Sequence, residues 1–164
     1  MAVINYLTTI QFEQGAIELL PSELDRLGIR RPLIVTDQGV RAAGLLDRVL
    51  GTLASPPAAI FDQTPANPTE EAVVAATAMF KDNDCDGIVA LGGGSPIDLG
   101  KATALLATHP APLQQYSVVD GGVGRITDKV APLVAIPTTA GTGSEVGRAG
   151  VIVMKSVRKL GLLS

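Results

Sequence analysis

Short apolar runs alternate along the chain with longer stretches of helical period, a pattern that predicts a parallel α/β sheet with flanking helices. Residues 3–7 and 10–12 read as an opening strand or hairpin. A helix is expected from about residue 15 to residue 27, with Ile17, Leu20, Leu24 and Leu27 on one stripe. Pro21 lies inside it and either kinks the helix or marks its true start. Leu33-Ile34-Val35-Thr36 is the next strand, Asp37 stands at its carboxyl end, and residues 39–50 follow as a helix. Ala58-Ala59-Ile60-Phe61 is a further strand, closed by residues 64–69. Val73, Ala76, Met79 and Phe80 then keep helical spacing. Residues 88–91 form a strand that runs into glycines, and residues 99–107 are apolar almost all round, which predicts a buried helix. The glycine- and proline-rich stretch 109–129 reads as an irregular connection. Residues 133–136 give another strand and residues 151–154 the last.

The segment Gly92-Gly93-Gly94-Ser95-Pro96-Ile97-Asp98 carries the most chemistry. It reads as a glycine turn and a helix start, with Ser95 as cap and Pro96 as first helical residue. Glycines let the backbone approach a bulky anion, and the helix presents the positive end of its dipole there, which makes a phosphate cradle. Asp37, this turn and the loop 138–144 all follow predicted strands at their carboxyl ends, the edge where open α/β sheets bind ligands. An acid there can accept from ribose hydroxyls, and a hydroxyl-rich loop can bond phosphate or carboxamide groups. Each feature also has a plainer reading. Asp37 can cap the next helix, Ser95 and Asp98 can form a capping pair, and 138–144 can be an ordinary loop. A carboxylate at Asp98 would repel a nearby phosphate, so it is expected to face away from one. Asn67 before Pro68 reads most economically as a helix start, although it too lies at a strand's carboxyl end and is a candidate for contact with a cofactor.

The net charge of −3 and a pI near 5.1, with no concentrated basic patch, argue against nucleic acid as partner. Cys85 alone excludes an internal disulfide, and its plain reading is a residue that precedes a buried strand. No basic leader and no apolar run of spanning length are read, so a cytoplasmic protein without a membrane partner is expected. His109 is the only histidine; with no clustered carboxylates beside it, no metal site and no catalytic triad assembles. It reads as a loop residue. The chain stops soon after a strand and reads as cut.

Asp37, Asn67-Pro68-Thr69, the 92–98 turn and the loop 136–146 occur in the order found in the amino-terminal half of the iron-containing (group III) alcohol dehydrogenases, which the chain resembles over essentially its whole length. The resemblance implies a Rossmann-like, dehydroquinate synthase-like dinucleotide-binding domain over 1–164, with the family's helical domain and its Fe²⁺ or Zn²⁺ missing from this chain. It implies hydride transfer between NAD(P) and a small alcohol or aldehyde, in a homodimer or larger oligomer. Gly93, Gly94 and Ser95 match the family's pyrophosphate turn, and Thr138, Thr139 and Thr142 its cofactor-contacting hydroxyls. Asp98 matches an acid toward the nicotinamide end, and Lys159 a lysine that approaches the cofactor. Asp37 matches the adenosine-ribose position and, being an acid there, favours NAD over NADP. Gly147 departs from the threonine or serine often found there. Other readings are a catalytically inactive nucleotide-binding or assembly module, and a relative of glycerol dehydrogenase or maleylacetate reductase.

Overall fold

The computed structural model describes residues 2–5, 8–155 and 159–163. Its centre is a four-stranded parallel sheet, built from β3 (Pro32–Val35), β4 (Ala59–Phe61), β5 (Gly87–Gly92) and β6 (Leu133–Pro137) in the order β4-β3-β5-β6. Register pairs Ile34 with Ile60 on one side and with Val89 on the other, and Val89 with Val134. Both central strands are buried along their whole length, as their unbroken apolar sequences require of strands covered on two faces.

Alternate residues feed two cores. Ile34, Val89 and Leu91 pack against α1 (Leu20–Leu27), α2 (Gln38–Ala42) and α3 (Leu45–Leu50). Leu33, Val35, Ile88 and Ala90 pack against α4 (Glu70–Asp82) and α5 (Gly94–Thr108). α5 buries nine of its residues and crosses β5 so closely that a Cβ on Gly100 would lie 2.8 Å from that of Ala90. This accounts for its nearly all-apolar sequence.

Local chemistry sets the boundaries. A 3-10 turn (Ala16–Leu19) precedes α1, and Pro21 sits in the first turn of that helix, so it marks a start rather than a kink. The helix expected over 39–50 is two helices, because Gly44 takes φ +73° between them, a left-handed value that ends α2. Thr69, not Asn67, caps α4: its hydroxyl accepts from Ala72 N–H at 3.3 Å. Cys85 is buried directly before β5, and burial pushes its thiol pKa up.

Two antiparallel hairpins flank the sheet. β1 (Ala2–Asn5) pairs with β2 (Thr9–Phe12); residues 6 and 7, the end of the strand expected there, lie outside the described residues. β7 (Ala149–Val153) pairs with β8 (Lys159–Leu163), a strand that the apolar pattern did not reveal. Val153 N–H bonds Pro68 O at 2.8 Å, and Val118 N–H bonds Gly161 O at 3.0 Å. The second hairpin is thereby moored between the loop before α4 and the stretch after α5.

Candidate functional site

From β3 the chain turns to β4 at one edge, then returns past β3 to β5 and on to β6. The direction of winding therefore reverses between β3 and β5, and a crevice opens outside the carboxyl ends of the strands at such a point. A cleft of about 590 Å³ occupies it. All four strands contribute: Asp37 and Gln38 after β3, Thr64 to Ala66 after β4, Gly93 to Pro96 after β5, and Thr138 and Thr139 after β6.

Each wall is fixed by backbone bonding. Asp37 takes extended φ/ψ and its Oδ1 accepts from Val40 N–H at 2.8 Å, so the acid caps α2 while lining the cleft. Gly92 turns the chain with φ +150°, a value for glycine alone, and a Cβ there would meet the Pro96 ring at 2.5 Å. Gly93 stands at the N-cap of α5, where no side chain caps the helix. The helix thus starts at Gly94, one residue before Ser95. Ser95 is not its cap: the hydroxyl donates to Ala66 O at 2.5 Å and ties the β5 and β4 loops together. The first-turn N–H groups of Gly94 and Ser95 have no carbonyl one turn behind them, and Pro96 has no N–H. Their positive ends meet the cleft, which suits an anion. The loop after β6 is anchored by Thr138 N–H to Gly92 O at 2.9 Å and lies across the turn. A Cβ on Gly93 would sit 3.5 Å from Thr139 Oγ1, and one on Gly94 3.2 Å from Ser144 Oγ. The Thr64 hydroxyl, buried at the cleft wall, has no hydrogen-bond partner among the described residues.

A second hollow of about 210 Å³ shares Gly94 and Ser95 with the first and holds Asn67, Asp98 and Lys159. Lys159 Nζ donates to Asn67 Oδ1 at 2.9 Å. Asp98 faces this hollow and not the main cleft; its Oδ2 accepts from Val151 N–H at 3.1 Å in β7, so it forms no capping pair with Ser95. One turn further along α5, Lys101 donates to the carbonyls of Ser144, Gly147 and Ala149.

Burial pushes the Asp98 carboxyl above its ordinary value of 3.8, against the pull of the Val151 N–H, Lys101 and the Ser144 hydroxyl. Burial pushes the Lys101 ammonium down, while Asp98 and Glu145 pull it up. For a carboxyl raised in the fold, the stabilising contribution is complete below 3.8 and is lost as pH rises through the folded value. The stability of the unaltered chain relative to Asp98→Asn is therefore expected to fall as pH rises above about 4. Urea midpoints of both proteins measured from acidic to neutral pH check it, and parallel curves would refute it.

Of the residues singled out in the sequence, Asp37, Gly93, Gly94, Ser95, Thr138 and Thr139 line the main cleft. Asn67, Asp98 and Lys159 line the neighbouring hollow. Thr142 lines neither; its Oγ1 accepts from Ser144 N–H at 3.3 Å within the loop, and its side chain packs over Gly94. His109 follows the last helical residue of α5 as its C-cap with extended backbone, a loop residue as expected, but it is buried and lines neither hollow. Lys101 and Thr64 escaped the sequence reading. The only hint of Lys101 was a single charge inside the otherwise apolar stretch 99–107.

Known proteins resemble this chain in sequence and in fold. The sequence model described as iron-containing alcohol dehydrogenase matches residues 8–164. A 4-hydroxybutyrate dehydrogenase of Cupriavidus necator is 54% identical over 164 residues, all of this chain and 43% of that protein. The crystal structure of a 1,3-propanediol oxidoreductase superposes with TM-score 0.84 at 37% identity, over 93% of this chain and 40% of that one. A sulfoacetaldehyde reductase from Bifidobacterium kashiwanohense, solved in complex with NAD⁺, gives TM-score 0.83 at 28% identity, over 94% of this chain and 40% of the other. The chain spans less than half the length of these relatives.

Proposed function

Because the chain belongs to the iron-containing alcohol dehydrogenase family, we propose that it is the domain that holds NAD, in preference to NADP, while hydride passes to or from a small alcohol or aldehyde. The observation that carries this reading is the meeting of Asp37, the glycine turn and the Thr138–Thr139 segment around one cleft at the winding reversal of the sheet. The relative at 54% identity is named for a hydroxybutyrate, which makes a short ω-hydroxyalkyl compound the proposed substrate class.

The residues fit a dinucleotide. Gly93 and Gly94 leave the backbone bare where a Cβ would crowd the cleft, and their N–H groups and that of Ser95 suit a diphosphate. Ser95 gives its hydroxyl proton to Ala66 O, so its backbone N–H is the donor it offers. The unpartnered Thr64 hydroxyl offers a further hydrogen bond from the opposite wall. Asp37 caps α2 with Oδ1 and keeps Oδ2 for a ribose hydroxyl. A carboxylate there repels a ribose phosphate. Asp98, Asn67 and Lys159 line the hollow on the far side of the turn, toward the nicotinamide end. A bound nicotinamide supplies the hydride acceptor; the chain supplies position and field.

The family's metal finds no counterpart donor set. Among the described residues no three His, Cys, Asp or Glu side chains gather as a metal site, and no step is assigned to Fe²⁺ or Zn²⁺. In this reading the metal and its ligands belong to the remaining length of the whole protein.

Titration of this chain with NADH and NADPH, followed by nicotinamide fluorescence, tests the assignment. NADH is expected to bind more tightly, and failure of both to bind at millimolar concentration would overturn it. Asp37→Asn keeps the helix cap but removes the charge. It is expected to narrow the preference for NADH about tenfold; an unchanged ratio would remove Asp37 from the cofactor site.

A further inference from the structure

We propose that Lys101 is a positioning residue: its ammonium clamps the backbone of residues 144–149 to α5 and so holds the threonine wall of the cofactor cleft in place. The proposal rests on the reading of the cleft as a dinucleotide site.

Three carbonyls, those of Ser144, Gly147 and Ala149, converge on Nζ, the last at 3.0 Å. An ammonium has three N–H donors and no lone pair, so the number of donors equals the number of acceptors. One turn earlier on the same helix, Asp98 accepts from Val151 N–H. A cation thus takes carbonyls and an anion takes an N–H from one continuous stretch of backbone. Gly150, between the two attachment points, lies so close to α5 that a Cβ would come 3.0 Å from Asp98 O and 3.5 Å from Lys101 Cβ. The helix and this segment are therefore in direct contact, without a layer of side chains between them.

The other end of the loop is also fixed, through Thr138 N–H to Gly92 O. Between these anchors Thr139 faces Gly93, and Thr142 and Ser144 face Gly94. Few apolar side chains hold the loop: Thr138 to Thr142 are exposed, as are Gly147 and Arg148. Without the clamp, three carbonyls lose a charged donor at once, although the Thr138 and Val151 anchors and the turn in which Val146 and Gly147 N–H bond Gly143 O remain. A wall that is not preorganised binds less well in proportion to the fraction of time it is correctly placed.

The test compares the unaltered chain with Lys101→Met, which keeps length and loses all donors, and Lys101→Arg, which keeps the cation. Hydrogen exchange is read over residues 138–149, with α4 and β3 as internal controls, and NADH affinity is read by fluorescence. In Lys101→Met, exchange in the loop is expected to speed up at least about tenfold and the NADH Kd to rise by a similar factor, with the controls unchanged. Lys101→Arg is expected to recover both to within about threefold. Loop exchange and affinity within twofold of the unaltered chain in Lys101→Met would overturn the proposal. So would an equal loss of protection throughout the sheet in both variants, which marks a residue needed only for folding. If the unaltered chain takes no NADH, the cofactor reading falls, and the exchange contrast alone decides the clamp.

Discussion

Gly92→Ala is expected to destabilise the chain by about 3 kcal/mol and to abolish dinucleotide binding. Two independent faults combine. The residue holds φ +150°, where an L side chain is strained whatever the space around it. The added Cβ also falls 2.5 Å from Cγ and 3.0 Å from Cβ of Pro96, atoms of a ring that cannot swing aside. Relief of either fault moves the start of α5, and with it the N–H groups of Gly94 and Ser95 and the anchor that Gly92 O gives Thr138. Urea denaturation should show a lower midpoint at an unchanged slope, and NADH titration should show no saturable signal. An alanine variant with the original midpoint and affinity would mean that the turn tolerates a side chain and is no close-approach site.

His109→Ala is expected to remove about 2 to 3 kcal/mol of stability while leaving NADH affinity within twofold. The ring is 8% exposed and stands edge-on to Tyr116, centroids 5.7 Å apart. Nε2 accepts from Thr127 N–H at 3.0 Å, which places the ring proton on Nδ1, 3.2 Å from Leu105 O and 2.9 Å from Thr108 Oγ1. The imidazole thus joins the end of α5 to Thr127, across a connection whose regular structure is two 3-10 turns, Leu113–Tyr116 and Gly122–Arg125. Truncation leaves a cavity beside Tyr116 and strips that stretch of its central tie. α5 has fifteen residues, so the ring lies roughly 20 Å from the glycine turn. Denaturation and titration on the same sample separate the two effects. A loss of affinity as large as the loss of stability would show that the ends of the helix are coupled.

The central sheet was legible in the sequence because its strands are covered on both faces and must be apolar throughout. The unbroken runs at 33–36 and 88–91 could serve little else. The candidate site was legible to the extent that it is made of backbone: glycines and short polar residues after strands mark the cleft that these loops line. Boundaries were less so. The helix over 39–50 has one continuous apolar stripe, and only Gly44 in a left-handed conformation divides it. Ser95 and Pro96 form an ordinary capping pattern, yet the hydroxyl bonds Ala66 O, because the β4 loop passes beside the turn in space and not in sequence. β8 escaped because it begins with a lysine and contains a glycine, and its partner rather than its own pattern makes it a strand. Lys101 was least visible of all. Its acceptors are carbonyls, which every residue has, brought to it by a loop 43 to 48 positions further along the chain.

The cleft draws on four loops whose nearest residues in sequence are Asp37, Thr64, Gly93 and Thr138. No two belong to the same local turn, and the parallel sheet alone brings them together. A molecule that touches all four therefore acts as a removable staple. It joins segments that the backbone connects only through long excursions, and by mass action it favours the arrangement in which every strand is in register. Affinity at this edge is accordingly a property of the whole sheet. A flaw in any one strand, however remote from the ligand, weakens the grip of the other three.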